Sequence, residues 1–137
     1  MALTPTVLFD AYISINSNVI SDHGNKIELP ISVDEEDTTA FGQTWKARVG
    51  ALKDASLSLD LIQNYVNAQL DSIMFPLIGS VVPFEVRPTS AARGADNAAY
   101  TGNILIKEWK PIVGSVGKLV VVSVSFPTSG TVLRQTS

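Results

Sequence analysis

The sequence predicts a mostly β chain: an antiparallel β-sandwich or barrel of about seven or eight strands with one flanking α-helix. Three observations carry this. Apolar and polar residues alternate with a period of two in several separate runs, the mark of half-buried strands. One stretch switches to helical spacing. Turn-forming residues punctuate the chain at fairly even intervals.

From the N-terminus, residues 1–6 break at Pro5 and read as an arm. Val7, Phe9, Ala11, Ile13 and Ile15 then alternate with Leu8, Asp10, Tyr12, Ser14 and Asn16 as a first strand. Asn16-Ser17-Asn18 and Asp22-His23-Gly24-Asn25 have turn composition. Ile27, Leu29, Ile31 and Val33 alternate beyond them, with Pro30 demoting that strand to an edge or bulged position. Residues 34–44, DEEDTTAFGQT, form the longest break in the first half and read as a loop.

Trp45, Ala47 and Val49 make an inward set, and residues 50–54 read as a hairpin turn into Ala55, Leu57, Leu59 and Leu61. Next, Ile62, Val66, Leu70, Ile73 and Leu77 step by four, four, three and four, an apolar helical stripe. Asn64 or Asn67 suits its start, while Pro76 and Gly79 end the regular helix by about Phe75. Val82, Phe84 and Val86 begin another strand. Residues 88–99, PTSAARGADNAA, read as a flexible loop. Strand chemistry returns at residues 100–109 and in KLVVVSVSF over residues 118–126, with a short last strand near Leu133. Leu57, Leu59, Leu70, Ile73 and Val86 lie on the apolar parity of their elements and form the expected core.

The chain of 137 residues reads as a single domain over residues 1–137, without internal repeat or linker. It is 45% apolar and only 17% charged, so much of its surface is small and neutral, as on a face buried against neighbours. Absence of cysteine excludes disulfides and thiolate metal sites. No basic-plus-apolar leader and no apolar run near the roughly 20 residues of a membrane span is seen. A net charge of −3 argues against an electrostatic nucleic-acid binder.

Chemistry finds little foothold. His23 is the one histidine and sits in a turn beside Asp22. Neither a nucleophile elbow nor a metalloprotease motif is present. Asp34, Glu35, Glu36 and Asp37 lack the spacing and glycine of a calcium loop, leaving a solvated charge run or a loose surface cation site. No catalytic, cofactor-binding or metal residue is expected.

Three segments resemble one known family. WKARVGALKDASLSLDL (residues 45–61), LDSIMFPLIGSVVPFEVRPTSA (residues 70–91) and YTGNILIKEWKPIVGSVGKL (residues 100–119) are together similar to the major tail proteins, the tail tube subunits, of long non-contractile tailed phages of actinobacteria. The resemblance implies a virion protein, assembled in the host cytoplasm, that closes into six-membered rings. Stacked rings form a hollow tail that meets other tail proteins at its ends and passes duplex DNA without reading its sequence. It implies no enzyme activity and no cofactor.

Two residue groups are expected at subunit interfaces. Asp34 to Asp37 with Phe41 and Gly42 would bridge stacked rings, the alternative being a loop whose Phe41 folds back on its own core. Lys46, Arg48, Arg87 and Arg93 are the candidate basic rim for that loop. Val120, Val122 and Val124, in a strand without gatekeeper charges, would lie at the lateral contact, the alternative being an ordinary interior strand. Other classes kept open are a head-decoration or tail-terminator protein and, requiring a row of exposed aromatics, a carbohydrate-binding module.

Overall fold

The computed structural model describes residue 3 and residues 5–137, so the expected N-terminal arm falls partly outside the described residues. Nine strands form two antiparallel sheets. The first sheet holds β1 (Tyr12–Ile15), β2 (Asn18–Val19), β6 (Val81–Arg87), β7 (Ala99–Leu105) and β9 (Leu133–Gln135), in the order β2-β1-β6-β7-β9. The second is built on β5 (Arg48–Ile62). One edge of β5 carries β3 (Gly24–Glu28) and then β4 (Ile31–Asp37); its other edge carries β8 (Val121–Pro127).

The core lies between these sheets. Ile13, Ile15, Phe84, Val86 and Ile104 from the first face Leu57, Leu59, Leu61, Val122, Val124 and Phe126 from the second, all buried. Alternation explains the choice: Ser123 and Ser125 stand on the opposite face of β8, exposed. Val122 and Val124 are therefore core residues, which corrects their expected place at a lateral contact; Val120 is half-buried just before the strand. The sheets do not close into a barrel. They touch at one corner, where Ile104 bridges Thr128 and the Ser129 amide donates to Asn103 O at 2.9 Å.

Several elements differ from expectation for physical reasons. β1 starts at Tyr12, not Val7, because its partner β6 ends at Arg87. Pro88 follows and lacks an N–H, so residues before Tyr12 find no ladder there. Asn16 and Ser17 take φ of 51° and 66°, the doubly positive turn that matches the twist of a two-residue hairpin.

The expected turn at residues 50–54 is instead the middle of a 15-residue strand. Glu28 pairs with Ser58 and Ile31 with Ala55 in one continuous alignment, and Ser56 N–H donates to Pro30 O at 3.3 Å. Pro30 thus interrupts the strand without redirecting it. The turn-like chemistry of Gly50 marks a β-bulge, where the register slips between Val33 and Glu35. A Cβ on Gly50 would lie 3.3 Å from Val33 Cγ2.

The helix is shorter than its stripe suggested. Ile62 closes β5, Val66 is exposed, and Ala68 has φ 66°. Asn64 Oδ1 accepts from Val66 N–H at 3.0 Å, a local turn that competes with helix. Only α1 (Leu70–Met74) is helical, and a 3-10 turn over Phe75–Leu77 follows it. Leu70 and Met74 are fully buried, whereas Ile73 is half-buried and packs at the margin. Met74 takes the core place expected of Ile73. The Trp109 indole N–H donates to Asp71 Oδ1 at 3.0 Å and ties α1 to the segment after β7.

Residues 88–99, expected to be flexible, are held in a polar frame. Buried Asn97 donates to Ala91 O at 2.8 Å and Ala92 O at 3.2 Å, and accepts from Thr89 N–H at 3.1 Å. Arg93 forks onto Glu85 at 2.8 and 3.2 Å. Arg87 donates to Ala91 O at 2.8 Å and stacks its guanidinium 3.8 Å from the Tyr12 ring centre. Its Nε lies 3.2 Å from Glu85 Oε2 without the alignment of a hydrogen bond.

Candidate assembly surface

The β4–β5 pairing runs past the end of the core. β8 covers β5 only from Ser56 onward. Every residue of β4 and the first seven of β5 are exposed, so this outer half is a free two-stranded ribbon. At about 3.3 Å per residue, the seven residues of β4 extend it by roughly 23 Å.

Hydrogen bonds within the ribbon shape its tip, residues 38–47. Thr38 N–H donates to Ala47 O at 2.8 Å, and the Ala47 amide donates back to Thr39 Oγ1 at 2.8 Å. Ala40 N–H reaches Gln43 Oε1 at 2.8 Å, and Gly42 takes φ +87°, which favours glycine. Asp37 Oδ1 accepts from Thr39 N–H at 2.8 Å, and hydrogen bonds from Thr39 hold its carboxyl below the usual value.

Asp34, Glu35, Glu36 and Asp37 are therefore strand residues on an acidic ribbon rather than loop residues. Glu35 pairs with Arg48 across it at 3.5 Å. Phe41 and Trp45 stand fully in solvent at the tip, with 109% and 86% exposure, and Ile31, Val33, Val49 and Leu52 are exposed along the shaft. Phe41 does not fold back on its own core. Trp45 and Val49, expected to face inward with Ala47, face solvent as well, while Ala47 is half-buried.

The basic residues proposed as a receiving rim do not form one. Lys46 and Arg48 belong to the ribbon itself, while Arg87 and Arg93 are engaged by Glu85. Those guanidiniums, led by the Arg93 hydrogen bond, hold the Glu85 carboxyl below its ordinary value.

A second candidate surface is the open edge of β8, which pairs along β5 and, among the described residues, carries no other strand. Beside it, the outward face shows Ser56, Ser58, Asp60, Ser123 and Ser125, and Ser58 Oγ donates to Ser125 Oγ at 3.2 Å. This face is rich in small hydroxyls; Lys26 stands opposite Asp60 and Glu28 opposite Ser58 on it, and half-buried Ile62 and Val121 close its end.

His23 lies in a 3-10 turn, 3.6 Å from the exposed Asp22 carboxylate. Among the described residues, no group of three or more histidine, cysteine, aspartate or glutamate side chains is gathered as metal ligands. No helix of the described residues is long and apolar enough to cross a membrane.

No protein-family model and no curated protein matches this sequence. Among solved structures, the fold is shared with a chain of the virion of a native gene transfer agent particle. The TM-score is 0.72 at 15% identity, over 92% of this chain and 95% of the other. At that identity the likeness establishes the fold.

Proposed function

We propose that this chain is a structural, non-enzymatic virion protein of phage type, acting as one domain over residues 1–137. In this reading it is a tail tube subunit whose copies close side to side into rings, six-membered as the family resemblance implies. The rings stack into a conduit for duplex DNA, with other tail proteins at its ends. The observation that carries it is the ribbon over residues 31–54. A strand ladder this long, with Phe41, Trp45 and Leu52 in water, gains nothing for an isolated subunit. Buried against a neighbour, it would supply both apolar area and backbone rigidity. The fold shared with a gene transfer agent virion chain supports the same reading.

The open β8 edge is the natural lateral contact, since an unpaired strand edge is a template for another chain. The serine-rich face beside it then suits the lumen. Duplex DNA carries about one negative charge per 1.7 Å, so a basic wall would retain it, whereas this face offers hydroxyls, with Lys26 offset by Asp60 and Glu28. Assembly follows the host-cytoplasm route that the family resemblance implies.

Electron microscopy of the purified protein is the direct test, with circular dichroism as folding control. Wild type is expected to form rings and tubes. Phe41→Ala, and deletion of Glu35 to Gly42, are expected to leave folded subunits that stop at rings or smaller species. Tubes of normal length from the deletion would overturn this use of the ribbon. Isolated caps or single rings from wild type would favour a head-decoration or terminator role.

A further inference from the structure

β5 joins two ends of the molecule that cannot touch within one chain. Its 15 residues span roughly 50 Å, from Arg48 in the ribbon to Ile62 at the far end. At that far end the segment over residues 110–120 wraps the strand terminus. Gln63 N–H donates to Val120 O at 3.0 Å, and Pro111 O accepts from Tyr65 Oη at 2.6 Å and from Gln63 Nε2 at 3.1 Å. Around this polar clasp, Tyr65, Ile112, Val116 and Leu119 are exposed, Val116 completely at 102%. Lys110 and Lys118 flank them, and Glu108, 3.5 Å from Lys110, is the acidic neighbour.

The two ends are opposites. One presents two aromatics and the run Asp34–Asp37 on a ribbon that stays net acidic despite Lys46, Arg48 and Lys53; the other presents exposed Ile112, Val116 and Leu119 beside Lys110 and Lys118. We infer that the ribbon of one copy docks on the Ile112–Val116–Leu119 patch of a second copy, with Asp34 and Glu36 meeting Lys110 and Lys118. This rests on the assembly reading above and names its receiving surface. Charge selects the pairing. Ribbon against ribbon would juxtapose two acidic clusters, and patch against patch two pairs of lysines, so the like-to-like contacts of a closed dimer are disfavoured. Contact between two different surfaces repeats without limit, which generates a stack rather than a dimer. The small, mixed polar-apolar patch also suits the tip: Phe41 and Trp45 would cover the exposed valine and isoleucine while the carboxylates stay at the wet rim.

The native chain has no cysteine, so every thiol can be introduced where it is wanted. Phe41→Cys and Val116→Cys are made singly and together, and treated with a short bis-maleimide. Mixing the two single variants should give cross-linked dimers, and the double variant a ladder of head-to-tail multimers. Each single variant alone should stay monomeric. Separately, Asp34→Lys with Glu36→Lys should cut the ladder about tenfold at low salt, and adding Lys110→Glu with Lys118→Glu should restore it. Self-linking of Phe41→Cys alone, or failure of the compensating reversal, would overturn the inference. A missing ladder while wild type still forms tubes would also overturn it but leave the tube reading standing. Absence of any wild-type ring or tube would remove both.

Discussion

Replacing Leu70 by alanine tests how α1 is held. A five-residue helix cannot support itself, because nucleation costs more than one turn of hydrogen bonds returns. Its position must come from tertiary contacts, of which the structure supplies two buried side chains, Leu70 and Met74, and the Trp109–Asp71 hydrogen bond. Truncating leucine to alanine removes about three methylene equivalents, roughly 2.4 kcal/mol at about 0.8 kcal/mol each. A cavity adds to this unless the site collapses, and measured leucine truncations range over about 2–5 kcal/mol. Exposed Ser72 and Phe75 flank the helix, so partial collapse is available and about 2–3.5 kcal/mol is expected. Ile73→Ala should cost about 1 kcal/mol, since Ile73 is only half-buried and forfeits less apolar area. Urea unfolding at subunit concentrations too low for assembly measures both, with an unchanged slope as the condition for comparison. Equal costs at the two positions, or a Leu70 effect below about half a kcal/mol, would refute this account of the docking.

Val122→Lys should unfold or strongly destabilise the subunit, while Ser123→Lys, on the face assigned to the lumen, should leave thermal unfolding and tube formation nearly unchanged; circular dichroism with electron microscopy separates them. Asn97→Ala should cost about 2–4 kcal/mol, because the carbonyls of Ala91 and Ala92 and the Thr89 amide lose their partner together; limited proteolysis near Arg93 should accelerate in parallel. The Glu85 carboxyl is lowered in the folded state, so its contribution is complete above its ordinary value of 4.5 and is lost as pH falls through the lowered one. Stability measured from pH 6 down to pH 3 should therefore fall less steeply in Glu85→Gln than in wild type, and parallel curves would contradict the ion-pair assignment.

What could be read in the sequence was whatever depends on near neighbours along the chain. The inward parity of Leu57, Leu59 and Val86 follows from alternation alone, and the Asn16–Ser17 hairpin from turn chemistry. Pairing between distant segments left weaker traces. Asp34 to Asp37 have low strand propensity and no apolar alternation, so they resemble a loop; their strand is imposed by the ladder to residues 48–50. Gly50 and Asp54 carry turn chemistry that the fold uses for a bulge and an exposed ribbon. The helical stripe from Ile62 to Leu77 contained a coincidence, since Ile62 belongs to the last pair of β5 and β8. Phe41 and the acidic run were legible as an unusual surface, but not as a rigid projection. Assigning Val122 and Val124 to an interface mistook an uncharged strand for an exposed one: what β8 leaves open is its backbone edge, which side-chain patterns do not report.

Because a single strand serves both as core and as projection, β5 behaves as a cantilever. Its clamped half holds Leu57, Leu59 and Leu61 between the sheets; its free half carries the tip. A tilt of about 10° at the root would move a tip roughly 23 Å away by about 4 Å, more than a hydrogen bond or an aromatic contact tolerates. The aim of the ribbon is therefore set by side chains that never meet a neighbour. Repacking beneath Ala55 or Leu57 could leave melting temperature untouched and still spoil the join between copies, and errors of aim would accumulate from one copy to the next. In a filament built this way, straightness is a property of the hydrophobic core.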